Sequence, residues 1–282
     1  MLRHRLCAAM ILGLTGATST YAADSIQLAP PQVLFKQSIS LQQFVRGTLR
    51  FIMLHEAGHA LVDLYQLPIL GREEDAVDRF AAWLMSPQGV LGDDGTDAIA
   101  AMEWWFASAQ VDPSTRQQLP WWGEHAMDEQ RAYQIACLIY GRNPTLMQGL
   151  AVRLNIPEKR RHACQYEAQQ NHNSWARLLQ PQVAQPSSTR QPFSQFLVPI
   201  NYLPANAQTQ QAATWLQNHQ MLEQLQGLLH QFKPSTQRAM IQVTAQNCGT
   251  ANAFWNLNTK SLTICYEMVN HVLNVGYQTG FR

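Results

Sequence analysis

Apolar positions recur every three to four residues from 41 to 65. Phe44, Thr48, Ile52, His55, His59 and Val62 share one face, which predicts a single long helix ended by Leu67-Pro68. A second helix is expected from about 73 to 85, closed by Ser86-Pro87, with Glu74, Val77, Asp78, Ala81 and Met85 on one face. Residues 97–110 read as a third, with Met102, Trp105 and Phe106 inward, broken at Asp112-Pro113. The run HAMDEQRAYQIACLIYG reads as a helix that starts polar and ends apolar at Gly141. A short helical segment follows between Pro144 and Pro157, and 159–180 continues helically with Cys164, Trp175 and Leu178-Leu179 inward. His162 and His172 lie among Arg, Gln and Asn and read as surface histidines; Trp121 and Trp122 read as core or cleft wall. Residues 181–192, PQVAQPSSTRQP, have no periodicity and read as a linker. Beyond them, 208–232 predicts one amphipathic helix and 239–245 a strand. Phe254-Trp255 and 261–266 predict a further strand pair turned at Asn256-Leu257-Asn258-Thr259. The expected class is α+β: a mostly helical region with a small antiparallel sheet from the C-terminal part.

The first helix carries His55-Glu56-Ala57-Gly58-His59. Residues four apart on a helix stand one above the other, so both imidazoles can reach one metal ion. Glu56, beside the first histidine, leans toward the open side, where a carboxylate can take a proton from water; this is the H-E-x-x-H pattern of zinc hydrolases. A bland alternative is a helix with two surface histidines. The apolar neighbours Phe51, Ile52, Leu54, Leu61 and Val62 argue against it, because they set the histidines on or beside a buried face. Catalytic zinc takes three protein ligands. Glu74, on the second helix, is the expected third ligand, with Glu73 the alternative if the helix phase differs. Asp78, one turn on, is expected to accept the free N–H of a ligating histidine. An acidic helix start explains Glu73 and Asp75 without a metal, but not Asp78 between Val77 and Phe80. His125 and Asp128 are three apart, and a histidine held by a carboxylate opposite the metal would stabilise an oxyanion. The alternative for His125 is a partly exposed histidine at a helix start. Arg131 is expected to pair with Asp128 or Glu129, or to reach a substrate carbonyl.

The chain of 282 residues is 46% hydrophobic with a net charge of +1, enough for one or two cored domains and without the basic excess that nucleic acid would call for. Arg3, His4 and Arg5 ahead of the apolar run 6–14, then Thr20-Tyr21-Ala22, read as a secretory signal (1–22) cut before Ala23. A membrane anchor would need about 20 apolar residues, so none is expected, and the location is secreted or periplasmic. Four cysteines follow the signal, Cys137, Cys164, Cys248 and Cys265. In an exported chain they suggest two disulfides in one of three pairings; four buried thiols are the alternative.

HEAGH followed by Glu74 and Asp78 in an E-x-x-x-D spacing resembles the gluzincin, thermolysin-like metallopeptidases. HEAGHALVD…LP…GREEDAVDRFA more closely resembles a family of secreted metallopeptidases known mainly as a domain of unknown function. The blocks EHAMDEQRAYQIACLIYG and CGTANAFWNLNTKSLTICYEM fit the same family. Each cysteine pair falls within one block or its flank, favouring Cys137–Cys164 and Cys248–Cys265. The resemblance implies a Zn²⁺-dependent peptidase with a peptide or protein as substrate, held as an added strand on a sheet edge. It also implies that the strand block precedes the H-E-x-x-H helix; here it follows, so the chain reads as permuted or as carrying a second family-like half. Residues 193–282 are expected to pack on the metal site formed by 23–180. An inactive zinc-binding interaction module and a zinc amidohydrolase acting on non-peptide amides are the other readings. A di-iron site would need a second E-x-x-H on a partner helix, and the sequence has no other.

Overall fold

The computed structural model describes residues 38–87, 89, 91, 94–111, 123–180, 196–232 and 239–282. The expected signal segment, the 181–192 linker, Trp121 and Trp122 lie outside these residues.

Helix α1 (Leu41–Tyr65) begins where sequence chemistry puts a start. The Ser40 side chain accepts from the Gln43 N–H, and the Gln43 side chain reaches back to the Ser40 N–H; the helix ends at Gln66, whose backbone is left-handed. Helix α2 (Glu73–Met85) carries Glu73, Glu74 and Asp75 in its first turn, on the favourable end of the helix dipole. Gly58 permits its close approach, because a Cβ there would come within 2.8 Å of Val77. Helix α3 (Thr96–Val111) crosses α1 at Gly47 and presents the fully buried Asp97 to Arg46 (2.7 Å) and Arg50. In α3 the buried indole is Trp104, whereas Trp105, expected inward, is only partly buried. Helix α4 (Asp128–Arg142) starts later than its polar run suggested, so His125 precedes the helix instead of standing on it. Helices α5 (Gln148–Arg153) and α6 (Glu158–Leu179) follow. The disulfide Cys137–Cys164 ties α4 to α6. His162 is exposed, but His172 is half-buried and accepts from the Trp83 indole N–H at 2.9 Å.

The C-terminal part departs more from expectation. The single helix expected over 208–232 is two, α7 (Gln210–Asn218) and α8 (Met221–Leu229), separated at Gln220 with φ of 50°. That reversal lets Leu216 on one helix and Leu222 and Leu225 on the other all bury. The strand expected over 239–245 is also two, split at Ile241. β3 (Ala239–Met240) pairs in parallel with β1 (Phe196–Leu197), and β4 (Gln242–Gln246) enters a four-stranded sheet.

That sheet has the order β2-β4-β6-β5, where β2 is Ile200–Tyr202, β5 Ala253–Asn256 and β6 Ser261–Cys265. β2, β4 and β6 are mutually parallel and only the edge strand β5 is antiparallel, so the sheet is mixed and the antiparallel expectation holds for β5–β6 alone. The reason is topological. β2 reaches β4 through two helices, a crossover that allows parallel pairing, whereas β5 reaches β6 through a tight turn. Helix α9 (Tyr266–Thr279), which the pattern reading left unassigned, follows β6 directly. It returns to α1: the Leu41 N–H donates to the Arg282 carbonyl at 2.8 Å, and Phe44 stacks on Phe281 at 4.2 Å. Cys248–Cys265 closes the second disulfide, so both favoured pairings are present. Among the described residues no helix is long and apolar enough to cross a membrane.

The strand block sits against α1. Asp63 of α1 accepts from the Trp255 indole N–H (3.0 Å) and from Lys260 Nζ (2.6 Å). This puts the edge strand β5 alongside the histidine-bearing turn of α1.

Candidate metal centre

His55 and Glu56 are buried near the middle of α1, and His59 is one turn further on. The two Nε2 atoms stand 3.2 Å apart. Glu74, in the first turn of α2, meets both: Oε2 lies 3.0 Å from His55 Nε2 and Oε1 lies 3.4 Å from His59 Nε2. Glu73 points elsewhere, accepting from the far ring nitrogen of His59, Nδ1, at 2.7 Å. The helix phase therefore brings Glu74, not Glu73, to the face that the two Nε2 atoms share.

Each imidazole is fixed from behind. Asp78 Oδ1 accepts from His55 Nδ1 at 2.7 Å. With Nδ1 on each ring held by a carboxylate, Nε2 faces Glu74, and once its proton is lost it presents the lone pair a metal ligand needs. Arg131, from α4, donates through Nε and Nη2 to the two oxygens of Asp78, both at 2.7 Å. Its guanidinium carbon lies 3.6 Å from the centre of the Trp105 ring. The structure thus gives Arg131 a partner that was not among those expected, Asp78 in place of Asp128 or Glu129.

His125 also reaches this cluster. Its Nε2 is 2.9 Å from Glu74 Oε2, and its ring stacks on His55 with centroids 6.1 Å apart. Asp128, expected to hold it, instead bonds the Ser108 side chain. The helix begins at Asp128, so the assumed i, i+3 spacing never forms.

The charges answer to these contacts. Burial would lower the His55 pKa, but Asp78 and Glu74 outweigh it and raise it to about 9. His59 is raised against burial in the same way by Glu74 and Glu73. Burial would raise Glu74, yet the imidazoles of His125, His55 and His59 hold it well below the usual carboxylate range. Asp78, buried as well, is held low by His55 and Arg131. Glu56 behaves differently: burial dominates and raises its pKa, even though the Trp255 backbone N–H donates to Oε2 at 2.8 Å.

Glu74 Oε2 provides a test of whether this donor set fits a cation. It is buried and without a hydrogen-bond partner of proper geometry, although two ring nitrogens approach within 3.0 Å. Once the imidazoles give up their protons to a cation, these nitrogens and oxygens direct their lone pairs at common space. Two imidazoles and one carboxylate are a donor set that Zn²⁺ takes. His55, Glu74 and His125 are likewise close enough to share one ion.

The centre opens into a cleft of about 910 Å³ whose walls include Phe51, Trp104 and Trp105 on one side and Ala253 to Trp255 of β5 on the other. His55, Glu56, His59, Glu74 and Asp78, expected from their spacing to lie together, do so. Spacing does not give Trp255 as the partner of Glu56, Arg131 as the partner of Asp78, or Glu73 as the support of His59. A backbone N–H leaves no trace in sequence, and Glu73 reads there as a helix-start charge or an alternative ligand, not as a support for His59.

Comparison with curated proteins gives no match, and comparison with solved structures gives none. A family model does match, over residues 21–179 and 202–281, and so covers both the metal helices and the strand block. On that match the chain belongs to the DUF4344 family, described as "Putative metallopeptidase".

Proposed function

We propose that the protein is an exported zinc-dependent metallopeptidase in which His55, His59 and Glu74 hold Zn²⁺ and Glu56 is the general base. The observation that carries this reading is the meeting of both Nε2 atoms with Glu74 within 3.0–3.4 Å, with their Nδ1 atoms held by Asp78 and Glu73. Bound there, zinc would supply a Lewis acid toward the scissile carbonyl and would acidify water.

The remaining steps belong to the chain. Glu56, made more basic by burial, takes a proton as water adds to the carbonyl, then returns it to the leaving nitrogen as the C–N bond breaks. His125, on the cleft side of Glu74, is suited to donate to the oxyanion. Edge strand β5 supports a peptide over a small amide as substrate. The N–H groups of Ala253 and Trp255 bond away from β6, so this edge faces the cleft and the carbonyls of the same residues point with it. An extended substrate can add there as a strand by displacing the Asn252 side chain from the Ala253 N–H. The Trp255 N–H holds Glu56, which couples the base to the strand that aligns the substrate. The two disulfides support export.

Metal analysis of the purified protein, followed by a peptide-library digest with and without a chelator, tests the reading. The expected result is one zinc per chain and chelator-sensitive cleavage. Bound metal without cleavage would favour an interaction module, and cleavage of acyl amides alone a non-peptide amidohydrolase.

A further inference from the structure

We infer that Arg131 is a positioning residue of the metal centre, acting on His55 through Asp78. The inference rests on the reading of His55 as a metal ligand and adds to it a residue that touches neither metal nor substrate.

The geometry is that of a clamp. A carboxylate that supports a ligating histidine must stay ionised, lie in the imidazole plane and not rotate. Asp78 is buried, and burial opposes its charge. The Arg131 fork answers both requirements. Two parallel N–H···O contacts of 2.7 Å fix the carboxylate plane, and the guanidinium supplies the opposing charge at contact distance. A single ammonium could neutralise Asp78 but could not fix its plane. Arg131 is itself held, 93% buried, with its guanidinium over the Trp105 ring. Four helices therefore meet in one line of contacts: Trp105 on α3, Arg131 on α4, Asp78 on α2 and His55 on α1.

This line differs from a plain structural ion pair in one respect. Asp78 Oδ1 accepts from both Arg131 Nη2 and His55 Nδ1. Arg131 thus bears directly on the oxygen that orients the imidazole, and so on where His55 Nε2 points.

The test is Zn²⁺ affinity by competition with a chromophoric chelator, together with the visible absorption of the Co²⁺-loaded protein. Native protein is compared with Arg131→Met, Arg131→Lys, Asp78→Asn and the double variant Arg131→Met/Asp78→Asn. Arg131→Met should weaken Zn²⁺ binding by about 10–100-fold, the range of second-sphere changes, and Arg131→Lys by less. The double variant should bind about as well as Asp78→Asn alone, because the two residues act in series. The Co²⁺ bands should shift in Arg131→Met in the sense seen for Asp78→Asn. A Zn²⁺ affinity in Arg131→Met within about twofold of native would overturn the inference, as would losses that multiply in the double variant. If Arg131→Met fails to fold, Arg131→Lys decides: unchanged affinity and unchanged Co²⁺ bands would overturn it. Absence of Zn²⁺ binding by the native protein would instead sink the metal-centre reading and this inference with it.

Discussion

His55 and His59 stand four residues apart on one helix, yet they meet different surroundings. His55 is buried and backed by Asp78, which is backed in turn by Arg131 and Trp105. His59 is less buried and backed by Glu73, a carboxylate with 45% of its side chain exposed. The motif spacing makes the two histidines look equivalent. Burial makes them unequal: the inner support works in a low-dielectric setting and the outer one competes with water. The inner side is built for fixed geometry, and the outer side tolerates change.

The largest expected effect removes the residue both sides share. Glu74→Ala should cost nearly all bound metal, since two imidazoles alone do not complete a three-ligand set; metal content after gel filtration measures it. Retained metal in that variant with loss in Glu73→Ala would reverse the assignment. Next comes Glu56→Gln, which leaves both sides intact. Peptide hydrolysis should fall by at least about 10²–10⁴-fold with zinc retained, and undiminished turnover would refute the role of Glu56 as base.

The pH dependence tests the inner side next. In metal-free protein the His55 pKa is raised to about 9 from 6.5. A raised pKa means the folded state holds the proton more tightly. That stabilisation is fully present below about pH 6.5 and is lost as pH climbs toward 9, on the order of a few kcal/mol. Melting temperatures of metal-free protein across this window should decline. Zinc must displace the same proton, so its apparent affinity should rise over the same interval. A melting temperature flat from pH 6 to 9 would show that His55 is not the buried, carboxylate-held group described.

The smallest effects test the asymmetry itself. Asp78→Asn should weaken zinc binding by about 10–100-fold, whereas Glu73→Gln should change it only a few-fold, as expected for a partly exposed partner. Equal losses would mean that the inner and outer supports do not differ as their burial implies.

How much of this was legible beforehand follows the range of the interactions. The i, i+4 histidines, the acidic first turn of α2 and the one-turn spacing of Glu74 and Asp78 are local. Helix geometry converts such spacings into faces without help from the rest of the chain. The bounds of α1 and α2 were legible for the same reason, each having a start and a stop signal in sequence. Breaks were less so. Nothing in the apolar pattern marks Gln220, where the chain turns so that both helices bury their leucines, or Ile241, where one predicted strand divides between two pairings.

The sequence by itself determined which polar side chains share a face: His55, Glu56, His59, Glu74 and Asp78 are set by spacing along two helices. Only the tertiary structure decided what surrounds them. Arg131 reaches Asp78 across 53 positions of chain, and the Trp255 N–H reaches Glu56 across 199. His125 arrives at Glu74 from a turn outside any helix. Separations of that length carry no periodicity. They are fixed by how α1, α2, α3, α4 and the edge of a mixed sheet bury their apolar faces together, a property of the packed core that no single segment encodes.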